Sequence, residues 1–401
     1  MATFAEYAAG FKARAREVLV PAAVAVRALS DRLAAAGLSP DDLGSLESLR
    51  RLPIQTKDDV LELQAKSPPF GGLLAPGTPL RRVFQSPGPI YEPEPDVDDH
   101  WRMAPALQAA GFTPADVVLN CFGYHLSPAG VMFEEAARVV GAVVVPAGVG
   151  NMELQARAAR DAGVTAYTGT PSYLKALLEK AEGLEGLALR LEKAVVGAEP
   201  LPPSLREWLG ERVPAVRQMY GTAETGLLGY ECEAVSGWHV PDDALVEVCG
   251  LDDGQPLAEG VEGQVVVTLF SAHYPLVRFG TGDLSAFAEG DCPCGRPTPR
   301  LVGWLGRSGE AVKVRGMFLH PRQVVQVMGQ VPAVAAYRFL IDRVEHKDVL
   351  RCEVVAAAGA DDLVATVRDA VRSGLRFDAE VVVVDAVDAD SPPVTDLRTW
   401  D

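Results

Sequence analysis

The sequence has no apolar run long enough to cross a membrane. Its most hydrophobic runs, such as VVLNCFG and GAVVVPAG, have the length of strands, whereas a spanning helix needs about 20 residues. The N-terminal segment MATFAEYAAGFKARAREVLV has interspersed charges and lacks the apolar core and cleavage site of a signal peptide. We therefore expect a cytoplasmic protein with no membrane partner.

Basic residues are scarce relative to acidic ones. Lysine and arginine together number 37, against 54 aspartates and glutamates, which gives a formal net charge of −17 at pH 7. Because polyanions are held mainly by basic patches, this composition argues against a general nucleic-acid binder. It leaves room for a local basic cleft around a phosphate-containing ligand.

The six cysteines are too few and too scattered for a disulfide framework in a cytoplasmic chain. Two short segments nevertheless contain zinc-binding residue types: ECEAVSGWH holds Cys232 and His239, and EGDCPCGRP holds Cys292 and Cys294. Three cysteines and one histidine form the closed tetrahedral set that is typical of structural zinc. The sequence thus predicts a zinc site that joins the two segments, with four unrelated buried side chains as the alternative.

The chain changes character along its length. Residues 1 to about 80 show helical patterns, and from 100 to about 230 short apolar strands alternate with helices, as in a largely parallel sheet. Residues 231–305 contain strands joined by Gly and Asp turns, which indicates an antiparallel β subdomain. We expect an α/β protein with a large N-terminal domain, 1–305, and a small α+β C-terminal domain, 306–401.

Polar residues follow two of the predicted strands. Ligands of parallel sheets bind at the carboxyl ends of strands, so these positions are candidates for a binding site. QMYGTAETG contains Tyr220, Gly221, Thr222 and Glu224, a combination that suits a purine, a phosphate and a divalent cation. VRFGTGDLS presents Asp283, whose carboxylate suits ribose hydroxyls. For each motif taken singly, an ordinary strand turn is the more common explanation.

A third motif, GRSGEAVKVRG, places Arg307 at the predicted domain junction. In this order the three motifs resemble the adenylate-forming superfamily of acyl-CoA ligases and, within it, the phenylacetate–CoA ligase family. Segments that resemble this family extend over nearly the whole chain: LRRLPIQTKDDV, FGYHLSPAGVMFEEAARVVGAVVVPAGVGNMELQ, YTGTPSYL, VVGAEPL and CPCGRPTPRLVGWLGRSGEAVKVRGMFLHPRQV.

The resemblance implies an adenylate-forming fold and an acid–thiol ligase. Such an enzyme activates a carboxylic acid with ATP and Mg²⁺, forms an acyl-adenylate, and passes the acyl group to coenzyme A. An aryl or arylacetic acid is the implied substrate. The small domain is expected to rotate near Gly309 between the two half-reactions, since glycine there keeps rotation easy. For the assembly state, a homodimer is one expectation.

Roles for single residues also follow from the resemblance. Glu224 would hold Mg²⁺ against the α-phosphate with Thr222 beside it, and Arg307 would contact the nucleotide from the hinge. Contacts to the adenosine or the phosphates are implied for Ser86, Gly88, Gly197, Ala198, Glu199, Pro200, Tyr220, Gly221 and Asp283. These positions together form the implied ATP or AMP site.

Two further pairs of residues are implied in contacts with the other substrates. Tyr124 and His125, in FGYHLSPAG, lie where the family forms its acyl pocket. For His125, a satisfied core histidine is an equal alternative. Arg315 and Gly316 belong to the part of the small domain that would meet coenzyme A.

The segment FQSPGPIYEP departs from the family pattern. It occupies the position of a phosphate loop that is usually rich in serine and glycine and also carries threonines and a lysine. Pro87 and Pro89 remove two backbone N–H donors here, while Ser86 and Gly88 remain. Proline at this density excludes a helix or a central strand and favours a rigid exposed loop.

Two other departures concern catalysis. Ala223 replaces the hydroxyl residue that precedes the metal-binding glutamate, although Thr222 is adjacent, and the family's C-terminal lysine has no counterpart because Lys347 is the last lysine of the chain. That lysine neutralises charge as pyrophosphate leaves, a contact worth about 10²–10³ in rate. A degenerate homologue that binds nucleotide or acyl-adenylate without efficient ligation is therefore the alternative function.

Overall fold

The computed structural model describes residues 7–86, 88–185, 187–308, 312–315, 317–319, 321–345, 347–357, 362–388 and 391–399. The chain forms two compact units, one of Met1–Leu201 with Arg206–Ser308 and one of Pro202–Leu205 with Gly309–Asp401. Pro87, Gly309 and Gly316, which the sequence analysis singled out, lie outside the described residues.

Short helices form the N-terminal part of the first unit. Their bounds are Phe11–Arg14 (α1), Val20–Ala25 (α2), Arg27–Ala35 (α3), Leu46–Leu49 (α4) and Lys57–Lys66 (α5), with a π-helical turn at Ala15–Leu19 and a 3₁₀ turn at Pro40–Gly44. A capping box begins α5. The Thr56 hydroxyl accepts from the Asp59 backbone N–H at 3.1 Å, and the Asp59 carboxylate accepts from the Thr56 N–H at 2.7 Å. Lys57 is thereby the first residue of this helix.

A β-hairpin of Leu80–Gln85 (β1) and Tyr91–Pro95 (β2) carries the proline-rich segment at its turn. Its described residues form no helix and no central strand, as predicted, but the expected exposure is wrong for residues 92–95, which are buried. Two contacts explain the burial. The side-chain amide of Gln64 in α5 donates to the Tyr91 carbonyl and accepts from the Tyr91 N–H, both at 2.8 Å. Arg82 pairs with Glu94 at 2.8 Å and neutralises its charge.

The largest element is an eight-stranded sheet whose strands follow one another, from edge to edge, in the order Arg300–Leu301, Trp238–His239, Gly226–Tyr230, Ala215–Thr222, Lys193–Val196, Ala166–Gly169, Val117–Asn120 and Val143–Pro146. Its parallel part is formed by Val117–Asn120 (β3), Val143–Pro146 (β4), Ala166–Gly169 (β5), Lys193–Val196 (β6) and Ala215–Thr222 (β7). The helices of this region are Ala104–Ala109 (α6), Ala129–Val140 (α7), Met152–Asp161 (α8), Pro171–Glu182 (α9) and Pro203–Gly210 (α10). This alternation confirms the parallel sheet that the sequence predicts for residues 100–230.

Three antiparallel strands extend the same sheet: Gly226–Tyr230 (β8), Trp238–His239 (β9) and Arg300–Leu301 (β13). A separate four-stranded sheet contains Ala244–Cys249 (β10), Gly263–Leu269 (β11), Phe279–Ser285 (β12) and Gly306–Arg307 (β14). The segment 231–305 is thus divided between two sheets, because its two ends pair with the large one. Since β14 pairs with β12, Arg307 belongs to the first unit, which ends at Ser308, three residues beyond the boundary at 305 that we expected.

The second unit combines a hairpin, a four-stranded sheet and two helices. The strands are Val312–Val314 (β15), Met317–Leu319 (β16), Val334–Val344 (β17), Lys347–Ala356 (β18), Glu380–Val383 (β19) and Val394–Asp396 (β20), and the sheet order is β19-β18-β17-β20. The helices are Pro321–Met328 (α11) and Leu363–Ala370 (α12), the latter continued by a π-helical turn at Val371–Leu375. Apolar residues such as Phe339 and Val367 form its own core.

The backbone approaches itself closely at Gly226, where β8 begins. Its φ is +69°, and an added Cβ would overlap the carbonyl oxygen of Trp101, which accepts a hydrogen bond from the Leu227 N–H at 2.9 Å. We predict that Gly226→Ala lowers the free energy of unfolding by roughly 1–3 kcal/mol more than Gly290→Ala, because both glycines have a positive φ but a Cβ would clash only at Gly226 of the two. Gly290 has φ +73° and open space around it. Urea denaturation followed by circular dichroism measures both, and equal losses would contradict the close approach.

Candidate active site

The carboxylate of Asp283, on β12, is the centre of a buried hydrogen-bonded group. Its Oδ2 accepts from the Tyr220 hydroxyl at 2.9 Å, and its Oδ1 accepts from the indole N–H of Trp304 at 3.2 Å. Arg307 Nη2 lies 3.0 Å from Oδ1. Asp283 is 4% exposed, so the charge is held by protein donors and not by bulk water. Three residues that the sequence singled out in separate motifs, Tyr220, Asp283 and Arg307, are therefore in direct contact.

Tyr220 is itself held in place by stacking and burial. Its ring is stacked on Trp238 with the centroids 5.4 Å apart and an interplanar angle of 19°. Burial and the carboxylate of Asp283 raise the pKa of the Tyr220 hydroxyl well above its usual value, so it acts as a neutral donor. The aromatic ring that we expect beside the adenine base is thus held in a fixed orientation.

Glu224 lies in the turn between β7 and β8 and pairs with a lysine that the sequence analysis did not assign to the site. Lys57 Nζ is 2.8 Å from Glu224 Oε1, and Glu224 is 7% exposed. Burial raises the pKa of Glu224, but the ammonium of Lys57 outweighs it, so the pKa is below its usual value. Oε2 has no hydrogen-bond partner among the described residues. The carboxylate is therefore ionised, with Oε1 held by Lys57 and Oε2 buried.

The turn around Glu224 is held by its neighbours. The Thr222 and Thr225 hydroxyls are 2.9 Å apart, and the Thr225 N–H donates to the Thr222 hydroxyl at 3.2 Å. The indole of Trp101 donates to the Ala223 carbonyl at 2.9 Å, and Arg102 donates to the Thr225 carbonyl. Thr222 thus serves the turn geometry, and its side chain also helps to lower the pKa of Glu224 by hydrogen bonding to the carboxylate.

The segment that follows β6 contains the residues for which we expect contacts with adenine. Ser172 Oγ donates to the Glu199 carboxylate at 2.6 Å, and Gln218 donates to the Glu199 carbonyl at 3.3 Å. Ala198 has a φ of +65°, and a Cβ at Gly197 would collide with the Met219 sulfur. Pro200 ends this turn. Because β6 pairs with β7, these residues and Tyr220 follow neighbouring strand ends.

Gly221 continues β7 where the sheet changes from parallel to antiparallel pairing. A Cβ there would collide with the Gly226 carbonyl, so glycine is required for the close approach of β7 and β8. Its packing role is visible in the structure, while its proposed nucleotide contact stays a prediction.

Ser86 and Gly88 lie in the turn of the β-hairpin. The Ser86 hydroxyl and backbone N–H both donate to the Ile90 carbonyl, at 3.2 and 2.8 Å. Ser86 is 4% exposed. Its hydroxyl is therefore engaged inside the hairpin. At Gly88 there is space for a Cβ, so packing does not require a glycine there.

Tyr124 and His125 follow β3. The Tyr124 hydroxyl accepts from the Asn120 amide at 2.8 Å, and burial raises the Tyr124 pKa above its usual value. His125 is exposed, so the alternative of a core histidine is wrong. Leu126 has a φ of +60°, and its carbonyl accepts a hydrogen bond from the Gln85 N–H at 3.0 Å. That bond brings the predicted acyl-binding loop next to the hairpin.

The predicted zinc ligands converge although they come from segments far apart in the sequence. The candidate ligand atoms of Cys232, His239, Cys292 and Cys294 all lie within 4.8 Å of one another. Cys232 Sγ is 3.6 Å from Cys292 Sγ, and Cys294 Sγ is 3.3 Å from His239 Nε2. Pairing of β9 with β13 brings the two segments together. The four side chains therefore lie together, as the predicted zinc site requires.

The surroundings of this cluster suit a metal ion. His239 Nδ1 lies 3.2 Å from the Thr298 carbonyl oxygen, to which it would donate, leaving Nε2 as a lone-pair donor. Burial lowers the pKa of His239, which favours the neutral ring. The backbone N–H groups of Ala234 and Arg296 donate to the sulfurs of Cys232 and Cys294, both at 3.4 Å.

Arg315 belongs to the second unit. Its backbone N–H donates to the Asp348 carboxylate at 3.1 Å, and its guanidinium donates to the carbonyls of Asp348 and Asp378 at 2.8 and 3.3 Å. Its φ is +49°. Arg315 thus shapes a turn of this unit, and its contact with coenzyme A stays a prediction.

The sequence was compared with known families and proteins. The family described as "AMP-binding enzyme" matches residues 98–269. A "Phenylacetate-coenzyme A ligase" of Thermus thermophilus is 32% identical over 325 residues, which are 77% of this chain and 72% of the relative. The chain belongs to the phenylacetate–coenzyme A ligase family. An enzyme of the same name from Escherichia coli is 29% identical over 80% of this chain and 76% of its own.

Solved structures of related ligases have the same fold as this family member. 2-Hydroxyisobutyryl-CoA ligase in complex with 2-HIB-AMP and CoA aligns with a TM-score of 0.88 and 25% identity, over 98% of this chain and 90% of that one. The amide bond synthetase McbA of Marinactinospora thermotolerans, 18% identical, aligns over 90% of both chains with a TM-score of 0.59 and shows the fold alone. Both the family and the adenylate-forming fold that the sequence motifs predict are confirmed.

Sequence reasoning missed Lys57 and the burial of Glu92. Lys57 was visible as the lysine inside a Thr-x-x-Asp capping box, a pattern that fixes it at the start of α5. Glu92 stands between prolines in an apparent loop, and nothing local distinguishes it from a solvated acid. Its burial depends on the pairing of β2 with β1 and on Gln64, which holds the backbone of Tyr91.

Proposed function

We propose that this member of the phenylacetate–coenzyme A ligase family activates a carboxylic acid with ATP through an acyl-adenylate and transfers the acyl group to coenzyme A. One observation carries the proposal: Tyr220, Asp283 and Arg307, from separate motifs, form one buried group at the strand ends where the family binds its nucleotide. Among the described residues, no helix is both long and apolar enough to span a bilayer. We propose a cytoplasmic location, since ATP and coenzyme A are available there, and keep a homodimer as a prediction.

The two half-reactions assign roles to the residues. The acid's carboxylate oxygen attacks the α-phosphorus, the bond to the bridging oxygen breaks, and pyrophosphate leaves. The coenzyme A thiolate then attacks the acyl carbon, and AMP leaves with the electron pair. Asp283 holds the ribose diol, and Tyr220 packs beside the adenine. Arg307 neutralises the phosphate charge from its place on β14.

Glu224 fits a magnesium ligand, because Oε2 is buried and has no partner in the described part of the chain. Magnesium would neutralise phosphate charge and polarise the α-phosphoryl group. Lys57 holds the other oxygen and keeps the carboxylate ionised and fixed in orientation.

An aryl or arylacetic acid is the substrate class we propose. The names of the relatives support it, and Tyr124 presents an aromatic ring after β3, next to Phe122, which is stacked on Phe133 with centroids 4.3 Å apart. Arg315 and Gly316 are proposed to meet coenzyme A. The competing function, nucleotide binding without efficient ligation, is favoured by the absence of any lysine after Lys347.

Acid-dependent ATP–pyrophosphate exchange tests the proposal. We predict exchange with aryl or arylacetic acids in a panel that includes fatty acids, and a loss of about 10² or more in Glu224→Gln, because an electrostatic contact to the reacting phosphate is removed. Glu259→Gln, an exposed position, is the control. Tight AMP binding with no exchange for any acid would favour the competing function.

Asp283→Asn tests the ribose contact. We predict that AMP and ATP both bind more weakly by roughly 1.5–3 kcal/mol, because a charged hydrogen-bond acceptor is lost. Isothermal titration calorimetry measures the change, and Asp252→Asn, an exposed aspartate, serves as the matched control. Unchanged affinities in Asp283→Asn would remove this carboxylate from the nucleotide site.

We also propose that Cys232, His239, Cys292 and Cys294 bind a structural zinc ion. Four ligands without an open position suit a structural rather than a catalytic site. The ion would join the strands β9 and β13 to the cysteine-containing turn. It lies outside the proposed reaction, so it would support the fold of the first unit.

Metal analysis tests the zinc proposal. We predict about one zinc per chain, its loss in Cys294→Ser, and a lower melting temperature in that variant, because metal binding contributes to folding. Cys352→Ala, in the second unit, should retain the metal. Equal metal content in the wild type and in the Cys232→Ser/Cys294→Ser double variant would rule out the site.

A further inference from the structure

The C-terminal segment of the chain contains an arginine whose side chain is buried. Arg398 follows β20, and its side chain is 3% exposed. Its Nε and Nη2 donate to the two oxygens of Asp396, at 2.8 and 2.7 Å, and its Nη1 donates to Asp348 Oδ2 at 2.9 Å. Burial lowers the pKa of Arg398, but the two carboxylates outweigh burial and hold the pKa above its usual value. The guanidinium is therefore charged and bound by an acid on each side.

Arg398 is the last basic residue of the chain, in the segment where the family carries its C-terminal lysine. That lysine acts on the departing pyrophosphate, which requires a cation that is free to reach it. The charge of Arg398 is enclosed and is already shared by two carboxylates. Any effect of Arg398 on the reaction therefore passes through the groups that it holds.

Asp348, near the start of β18, connects Arg398 with a neighbouring turn. Its Oδ2 accepts from Arg398 and also from the backbone N–H of Arg315, at 3.1 Å. Its Oδ1 is buried and has no hydrogen-bond partner among the described residues, so both contacts depend on one oxygen. A carboxylate that loses its counter-charge gains by turning toward water. Without Arg398, the N–H of Arg315 would consequently lose its acceptor.

Arg315 lies in the turn between β15 and β16 and depends on Asp348 for its conformation. Its φ of +49° is a left-handed value, which persists in a residue with a side chain only where the surroundings impose it. Its Nε donates to the Asp348 carbonyl at 2.8 Å, and its Nη1 donates to the Asp378 carbonyl at 3.3 Å. None of the bonds within the described chain involves Nη2, and Arg315 is exposed. The guanidinium is thus held in one orientation, with donors left for a ligand.

We propose that Arg398 is a positioning residue for coenzyme A: through Asp348 it holds the turn of Arg315, whose guanidinium binds a phosphate group of coenzyme A. The proposal rests on the proposed function and deepens it, because it names the chemical group that Arg315 recognises. A planar guanidinium in a fixed orientation matches the oxygens of a phosphate group. Adenylation uses no coenzyme A, so the contribution of Arg398 is confined to the second half-reaction.

Steady-state kinetics of the full-length enzyme, with an acid that supports ATP–pyrophosphate exchange, tests this assignment. We expect Arg398→Met to raise the KM for coenzyme A at least about tenfold, as the loss of one charged hydrogen bond does, and to leave the exchange rate unchanged. Arg398→Lys keeps the charge but not the fork of donors, so its KM should lie between those of Arg398→Met and the wild type. Arg351→Met is the matched control. Its exposed ion pair with Glu380 lies on the same sheet, and its KM should be that of the wild type.

Pantetheine as the acceptor separates a phosphate contact from a general loss of structure. It has the thiol of coenzyme A and none of the phosphate groups, so Arg315 contributes nothing to its binding. The wild type and Arg398→Met should therefore have the same KM for pantetheine. Arg315→Met should raise the KM for coenzyme A, and adding Arg398→Met to it should raise the KM no further, because both variants remove the same contact.

Melting temperatures identify variants that misfold, and Arg398→Lys serves for the comparison if Arg398→Met is unfolded at the assay temperature. An unchanged KM for coenzyme A in the folded variant would overturn the proposal. Equal losses with coenzyme A and pantetheine would also overturn it, since Arg398 would then be purely structural. If the wild type exchanges pyrophosphate and uses coenzyme A, either result makes only the role of Arg398 wrong. A wild type without exchange for any acid, or without transfer to coenzyme A, would contradict the ligase function itself.

Discussion

The carboxylate of Asp283 connects the two sheets of the first unit. Tyr220, which donates to it, belongs to the eight-stranded sheet, whereas Asp283 and its ion-pair partner Arg307 belong to the four-stranded one. Removing a member of such a buried group leaves the others unsatisfied, at about 1–3 kcal/mol for each orphaned group. The carboxylate of Asp283 therefore holds together the strands that carry the candidate nucleotide contacts.

The carboxylates at the two ends of the candidate site differ in how fully the protein pairs them. Asp283 accepts at both oxygens from donors of the protein, which fixes its orientation for the ribose contact that we propose. Glu224 keeps one buried oxygen without a hydrogen-bond partner in the described chain. A buried carboxylate oxygen of this kind is suited to a cation. This contrast separates the nucleoside end from the phosphate end.

Membership in the phenylacetate–coenzyme A ligase family sets the fold and the reaction, and the departures of this chain are confined to the contacts with the phosphates. The prolines of the hairpin remove donors, and the hydroxyl of Ser86 is turned into the hairpin. In the function that we propose, both changes weaken the contacts with the triphosphate and not those with the nucleoside.

Local patterns were sufficient for the parallel sheet, the family and the cysteine–histidine set, because strand periodicity, glycine-rich strand ends and ligand spacing are written in short segments. Side chains such as Tyr220, Glu224 and Asp283 were found for the same reason, each standing in a recognisable strand-end motif. Burial of β2, the pairing of Lys57 with Glu224 and the exposure of His125 were not found. The burial of β2 depends on side-chain contacts with Gln64 and Arg82, and Lys57 meets a glutamate more than 100 residues further along the chain, so no local pattern encodes these contacts. A carboxylate looks the same in the sequence whether it faces water or another buried acid, and only the folded chain decides which.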